Sequence, residues 1–193
     1  MPGILLIVSG PSGAGKGTVV KELVKDTAYA LSISATTRAP RTGEEHGREY
    51  YFISRTQFEE FIDGKDGNNL LEYAEYAGNY YGTPHNYVLQ QVQDGKVVVL
   101  EIDVVGGLQV KAKYPDAVLV FLAPPSLKEL ERRLVSRGTE DAQTIARRLS
   151  IAEGEMERAQ GYDYFVINDM VENAVANINA IVIAEQLRPA RRR

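Results

Sequence analysis

The run "ILLIVSGPSGAGKGTV", from Ile4 to Val19, restricts the fold of this chain more tightly than any other stretch. Ile4 to Ser9 is apolar and β-branched, which predicts a strand buried on both faces. A glycine-rich turn follows, and in "TVVKELVKD" Val19, Leu23 and Val24 fall at helical spacing. Strand, glycine turn and helix in that order form an anion-binding loop, because backbone N–H groups and the helix N-terminus converge on one point. Gly10, Gly15 and Lys16 match the pattern of Gly, four residues, Gly, Lys, then Ser or Thr. The hydroxyl arrives one place late: Gly17 stands where it is expected and Thr18 follows. A plain turn needs neither Gly10, Gly13 and Gly15 together nor a lysine at the helix start, so phosphate binding is the expected role. Lys16 offers a mobile cation to the phosphates. Thr18 is placed to cap the helix or donate to a phosphate, and it reaches magnesium only through water.

Further strands are expected at "KVVVLEID", "DAVLVFLAPP" and "YDYFVIND", with helices at Leu127–Ser136, Asp141–Ala159 and Val171–Leu187. Continuous apolar strands separated by helices predict an α/β fold, its mostly parallel sheet covered on both faces and its ligands gathered at the strands' carboxyl ends. Between about Ile33 and Pro84 shorter aromatic and glycine-bearing elements break this rhythm and read as an inserted subdomain. They include a strand at "GREYYFI" and a helix at "SRTQFEEFIDG" opened by Ser54 or Thr56; a helix at "HNYVLQQVQDG" follows the insertion.

Composition excludes several classes. With 193 residues, 44% hydrophobic and 25% charged, the chain fits one substantial soluble domain. A net charge of −4 gives no support for nucleic-acid binding, and the basic tip "RPARRR" is too short to change that. The absence of cysteine removes disulfides, thiolate nucleophiles and thiolate metal sites. No apolar run is long enough for a membrane span and no signal peptide is evident, so a cytoplasmic protein is expected.

In "SATTRAPRTGEEHGREYYF", Arg38 and Arg41 flank Pro40 in a loop of small polar residues. Two guanidinium forks so placed can hold a phosphate monoester. Tyr50 and Tyr51 point to opposite sides of the next strand, so one hydroxyl can reach the same phosphate. "GAGKGT" resembles the loop form of adenylate kinases and other nucleoside monophosphate kinases. With "SATTRAPRTGEEHGREYYF", "EYAEYAGNYYGTP", "RLVSRGTED" and "VIND", the whole chain resembles the guanylate kinase family.

That resemblance implies a P-loop nucleoside monophosphate kinase fold over residues 1–193. The core would comprise 1–33, 85–125 and 160–193, with a GMP-binding subdomain at 34–84 and a lid at about 126–159. It implies ATP-dependent phosphorylation of GMP, and of dGMP, by direct transfer. ATP would be held by Gly10, Pro11, Ser12, Gly13, Ala14, Gly15, Lys16, Gly17 and Thr18, with Arg133, Arg137 and Arg148 on phosphates and Asn168 near adenine. The GMP phosphate falls to Arg38, Arg41, Tyr50 and Tyr81, and guanine to Ser34, Glu72 and Thr83, with Asp103 near its amine. Lys16, Arg38, Arg137 and Arg148 would carry catalysis.

The base assignment is sound chemistry on its own. A carboxylate such as Glu72 accepts from guanine N1–H and N2–H₂, while Ser34 and Thr83 can donate to O6; adenine inverts that pattern. Magnesium is expected with ATP, near Thr18 and Glu101. The chain has "EID" where relatives often carry "DID", Val104 and Val105 where a glutamine is common, and "NDM" at Met170 in place of "NDD". An ionised phosphate acceptor needs no general base, so His46 and His85 read as non-catalytic, and Arg132 and Arg147 as salt-bridged helix surface. Two alternatives stay open: another monophosphate acceptor, and a non-catalytic protein-binding domain of the same fold. The sequence leaves the oligomeric state open.

Overall fold

The computed structural model describes residues 3–64, 69–136, 138 and 141–191. Its main sheet has five strands: β1 (Ile4–Ser9), β2 (Tyr29–Leu31), β7 (Val97–Glu101), β8 (Val118–Ala123) and β9 (Tyr164–Ile167). They lie in the order β2-β7-β1-β8-β9, and every pairing is parallel. All six residues of β1 and of β8 are buried, as the unbroken apolar runs require of strands covered on both faces. One face packs under α1 (Lys16–Leu23) and α7 (Val171–Gln186), through Val19, Val20, Leu23, Ala174, Ile178 and Val182. The other packs under α3 (His85–Gln93) and α4 (Val104–Lys113), through Val88 and Val110.

A second sheet takes the order β4-β3-β6-β5, from β3 (Ala35–Thr36), β4 (Tyr51–Phe52), β5 (Leu70–Tyr76) and β6 (Asn79–Pro84). β5 and β6 form an antiparallel hairpin. Its two-residue turn, Ala77–Gly78, has φ of 50° and 76°, the left-handed pair that suits the twist of the strands. Helix α2 (Arg55–Ile62) begins with a reciprocal capping box between Ser54 and Gln57, and it drives the fully buried Phe58 against Tyr73 and Tyr80. The strand expected over "GREYYFI" shrinks to Tyr51–Phe52, because residues 43–50 are spent on turns closed by Glu44, Glu45 and Gly47.

Helices α5 (Leu127–Ser136) and α6 (Ala142–Arg158) pack on each other through Leu130, Leu134 and Ala152. Asp141 caps α6 by accepting from Thr144 N at 2.7 Å. Among the described residues no helix is long and apolar enough to cross a membrane.

Helix α4, "VVGGLQVKAK", was not among the elements expected from the sequence, and it carries two adjacent glycines. Both are close-approach positions. A Cβ on Gly106 would lie 3.2 Å from Glu72 Oε2, and one on Gly107 only 2.4 Å from the Tyr162 hydroxyl oxygen. Asp103 caps the helix by accepting from Gly106 N at 2.8 Å.

The C-terminal segment is clasped by Glu185, which is 3% exposed. Its carboxylate accepts from Tyr164 Oη at 2.6 Å and from Arg188 and Arg191, and Arg191 also reaches the Asp116 carbonyl. Burial alone would raise its carboxyl, but the hydrogen bonds from Tyr164, Arg188 and Arg191 prevail and hold it below its ordinary value of 4.5. A depressed folded value stabilises the protein above about pH 4.5 and loses that contribution as pH falls through the folded value. Glu185→Gln should therefore cost about 1–3 kcal/mol at pH 7. In thermal melts the gap between parent and variant should narrow as pH falls toward 3.

Candidate active site

The loop between β1 and α1 faces a cavity of about 350 Å³ lined by Ser12, Gly13, Gly15, Lys16, Gly17, Thr18, Lys21 and Glu101. Gly15 precedes α1 at φ 93° and no side chain caps the helix, so its first N–H groups are directed at whatever enters. Lys16 Nζ donates to the Gly10 and Pro11 carbonyls at 2.5 and 3.2 Å. From α6, Arg148 Nη1 donates to Ser12 Oγ at 2.6 Å, which brings the second arginine of "ARRLS" onto the loop. Arg147 is exposed, and Arg132 pairs with Glu129 on the α5 surface. Arg137 lies outside the described residues.

A second cavity, about 310 Å³, opens between the two sheets. Ser34, Tyr50, Glu72, Tyr81 and Asp103 line it, with Ala74, Tyr76, Gly82, Ile102 and again Glu101. These residues come from the entries to β3 and β4, the β5–β6 hairpin and the end of β7. Glu72 is 5% exposed, and its Oε1 accepts from Thr83 Oγ1 at 2.7 Å. Burial, and then the nearby Asp103 carboxylate, push its carboxyl up to about 7, against the bond from Thr83 and the charge of Lys113. Since Thr83 has one hydroxyl proton and gives it to Glu72, it acts on the cavity by orienting that carboxylate. Ser34 remains as an aliphatic hydroxyl lining the cavity, beside the phenols of Tyr50, Tyr76 and Tyr81.

Arg38 reaches the cavity through Tyr50, and Arg41 follows it in the same loop. Arg38 Nη2 donates to both Glu44 oxygens at 3.0 and 2.8 Å, and its guanidinium lies 5.6 Å from the Tyr50 ring centre. Arg41 is exposed and its backbone N–H donates to Glu44 Oε2 at 2.8 Å. Tyr50 packs edge-on to Tyr81, whereas Tyr51 turns the other way against His46, as strand alternation requires. Glu44 was not singled out in the sequence; the spacing of Arg38, Arg41 and Glu44 along one loop is the only signal it leaves.

His46 and His85 line neither cavity; His85 contacts Asn86 and Tyr114. Glu101 is the shared wall of both. Partial desolvation in the cleft raises its carboxyl above the ordinary range, against the pull of Lys16 and Lys21. Two residues expected near a nucleotide also bond to the protein beneath the loop. Asn168, 4% exposed, donates from Nδ2 to the Ala14 carbonyl at 2.7 Å. Arg133 directs Nε, Nη1 and Nη2 to Glu129, Ala14 O and Asn168 O.

A guanylate kinase family model matches residues 3–185. Curated guanylate kinases of Bacillus subtilis strain 168 and Clostridium acetobutylicum are 52% and 47% identical, over 98% and 96% of this chain and 92% and 88% of their own. A solved guanylate kinase from Anaplasma phagocytophilum superposes with a TM-score of 0.79 at 32% identity, covering 98% of this chain and 89% of its own. A family match over nearly the whole length, on a P-loop sheet with a second cavity built around a buried carboxylate, places this chain in the guanylate kinase family.

Proposed function

We propose that the protein phosphorylates GMP to GDP with ATP as donor, by direct transfer between the two cavities that meet at Glu101. The observation that carries this reading is the cavity itself: a buried carboxylate, Glu72, and a hydroxyl, Ser34, offer the acceptor and donor pattern that guanine requires, opposite a phosphate loop. Glu72 would take N1–H and N2–H₂, with Asp103 beside the amine. Ser34 would donate to O6, and Thr83 would fix the orientation of Glu72. Arg38, Arg41, Tyr50 and Tyr81 would hold the monophosphate at the rim. ATP would lie along residues 10–18 of the loop, with Lys16 and Arg148 on its phosphates. Residues 34–84 would serve as the acceptor subdomain, and α5 and α6, with the Arg137 segment between them, as the lid.

A phosphate oxygen of GMP attacks the γ-phosphorus as the bond to the β-phosphate oxygen breaks, leaving ADP. The acceptor oxygen is already ionised, so the protein aligns the groups and offsets their charge. Among the described residues no cluster of three or more acidic or histidine side chains could hold a metal by itself. Magnesium in nucleotide sites needs less, since substrate phosphates and waters complete its oxygen shell. The hydroxyl of Thr18 and the carboxylate of Glu101, both lining the loop cavity, fit that chemistry. Magnesium bound there would screen the phosphate charge.

A panel of monophosphate acceptors with Mg-ATP, read as diphosphate formed, tests the reading. GMP should lead, with dGMP used and AMP, CMP and UMP near background. Preference for any of these three over GMP would overturn the acceptor assignment; no transfer at all would favour a binding domain.

A further inference from the structure

Resemblance puts Asn168 near the adenine of the donor, and its side-chain amide N–H is committed to the phosphate loop. Its Nδ2 donates to the Ala14 carbonyl at 2.7 Å, and Arg133 Nη1 donates to the same oxygen at 3.3 Å. Arg133 Nη2 holds the Asn168 carbonyl at 2.9 Å, and Asn168 N bonds to Ala123 O at 2.8 Å. The amide is therefore anchored to the end of β8 and to α5 before it reaches the loop. The opposite amide orientation would set two carbonyl oxygens against each other, so the donor assignment is fixed by chemistry. Contact is close enough that a Cβ on Gly15 would lie 2.4 Å from Asn168 Nδ2.

A trans peptide sends its C=O and the next N–H in opposite directions. With the Ala14 carbonyl turned toward Asn168, the Gly15 N–H faces away from it. Gly15 lines the loop cavity, whereas Ala14, Arg133 and Asn168 do not. Rotating that one peptide would present a carbonyl dipole to an incoming phosphate where the loop now presents a donor. Glycine at 15, already at φ 93°, offers little resistance to such a rotation.

We propose that Asn168, assisted by Arg133, is a positioning residue that locks the Ala14–Gly15 peptide with its N–H toward the phosphate chain. It acts on the polyphosphate through the loop. The proposal rests on the reading of this loop as the donor phosphate site.

The test compares the parent with Asn168→Asp and Asn168→Ala. Three measurements are taken: kcat/KM with ATP, CTP and UTP as donors, calorimetric affinity for inorganic tripolyphosphate, and KM for GMP. Losing one donor to a buried carbonyl should lower kcat/KM about tenfold or more, by one common factor for all three donors. Tripolyphosphate affinity should fall by a similar factor, while KM for GMP stays within about twofold. Asn168→Asp should be the worse of the two, because it sets an acceptor against the Ala14 carbonyl. A loss confined to ATP, with tripolyphosphate binding intact, would establish adenine contact and overturn the proposal. Equal loss of GMP use in both variants would make Asn168 a determinant of folding and overturn it as well, as would no loss at all. A parent that binds tripolyphosphate but transfers nothing to GMP would instead remove the functional reading and leave the brace measurable by calorimetry.

Discussion

Replacing Lys16 by Ala is expected to leave the protein folded and to lower turnover roughly 10²- to 10³-fold at saturating substrates, as removal of one fixed transition-state donor does. Lys16 Nζ bridges the Gly10 and Pro11 carbonyls at the mouth of the loop, and its side chain lines the same cavity as Thr18 and Glu101. None of these contacts belongs to the hydrophobic core, so the melting temperature should move little. Glu101 supplies a second readout. Its carboxyl feels the Lys16 charge, which opposes the upward shift from partial desolvation. Without that charge Glu101 should titrate higher, and residual activity should rise with pH more steeply than in the parent. Near-parental turnover in a folded Lys16→Ala variant would place phosphoryl transfer elsewhere.

Glu72→Gln should cut kcat/KM for GMP roughly 10- to 100-fold, the cost of losing a charged acceptor with a donor left facing donors. The structure sharpens the reason. Thr83 Oγ1 already bonds Glu72 Oε1, so in the variant the glutamine oxygen keeps that partner and the NH₂ takes the place of Oε2. The NH₂ would then face guanine, whose N1–H and N2–H₂ cannot accept from it. IMP, lacking the amine, should be a poorer substrate for the parent and should lose less on substitution. Equal proportional losses for GMP and IMP would refute direct reading of the amine.

Acidity probes the same carboxylate. Because burial raises Glu72 to about 7, it must give up a proton to accept from guanine. GMP affinity should therefore fall on acidification, by about tenfold from pH 8 to pH 6. The free protein should show the opposite sign: with the folded value raised, ionising Glu72 should lower stability as pH climbs from 4.5 through 7. Glu72→Gln should thus melt higher than the parent at pH 8 and lose the pH dependence of GMP binding that the Glu72 proton causes. Any slope that remains in the variant reports the GMP phosphate's own ionisation.

The strands of the main sheet were legible because burial on both faces leaves an unbroken apolar run at β1, β7 and β8. Helices α5, α6 and α7 were legible to within a residue or so, helped at α6 by the capping Asp141. Side-chain direction was not. Asn168 and Ala14 are 154 positions apart, and nothing local in "VIND" tells whether its amide faces a ligand or the loop. The same holds for Thr83, whose hydroxyl suits either guanine or Glu72 until the hairpin register puts them side by side. Helix α4 went unnamed for a different reason. Local propensity counts Gly106 and Gly107 against a helix, while tertiary packing brings Glu72 and Tyr162 side chains close against both positions.

That glycine pair also limits how the protein can be hardened against heat. Replacing an interior helical glycine by alanine ordinarily gains about 1 kcal/mol, which makes such sites the first resort of thermostability engineering. In α4 the added methyl at 106 would press on Glu72 Oε2 and at 107 on the Tyr162 hydroxyl and Ser9 Oγ. The helix is thus kept weaker than its length allows, because its first turn doubles as the floor beneath the carboxylate proposed to read the base. Gains in heat tolerance have to come from parts of the chain that do not share this double duty, such as the surface of α7.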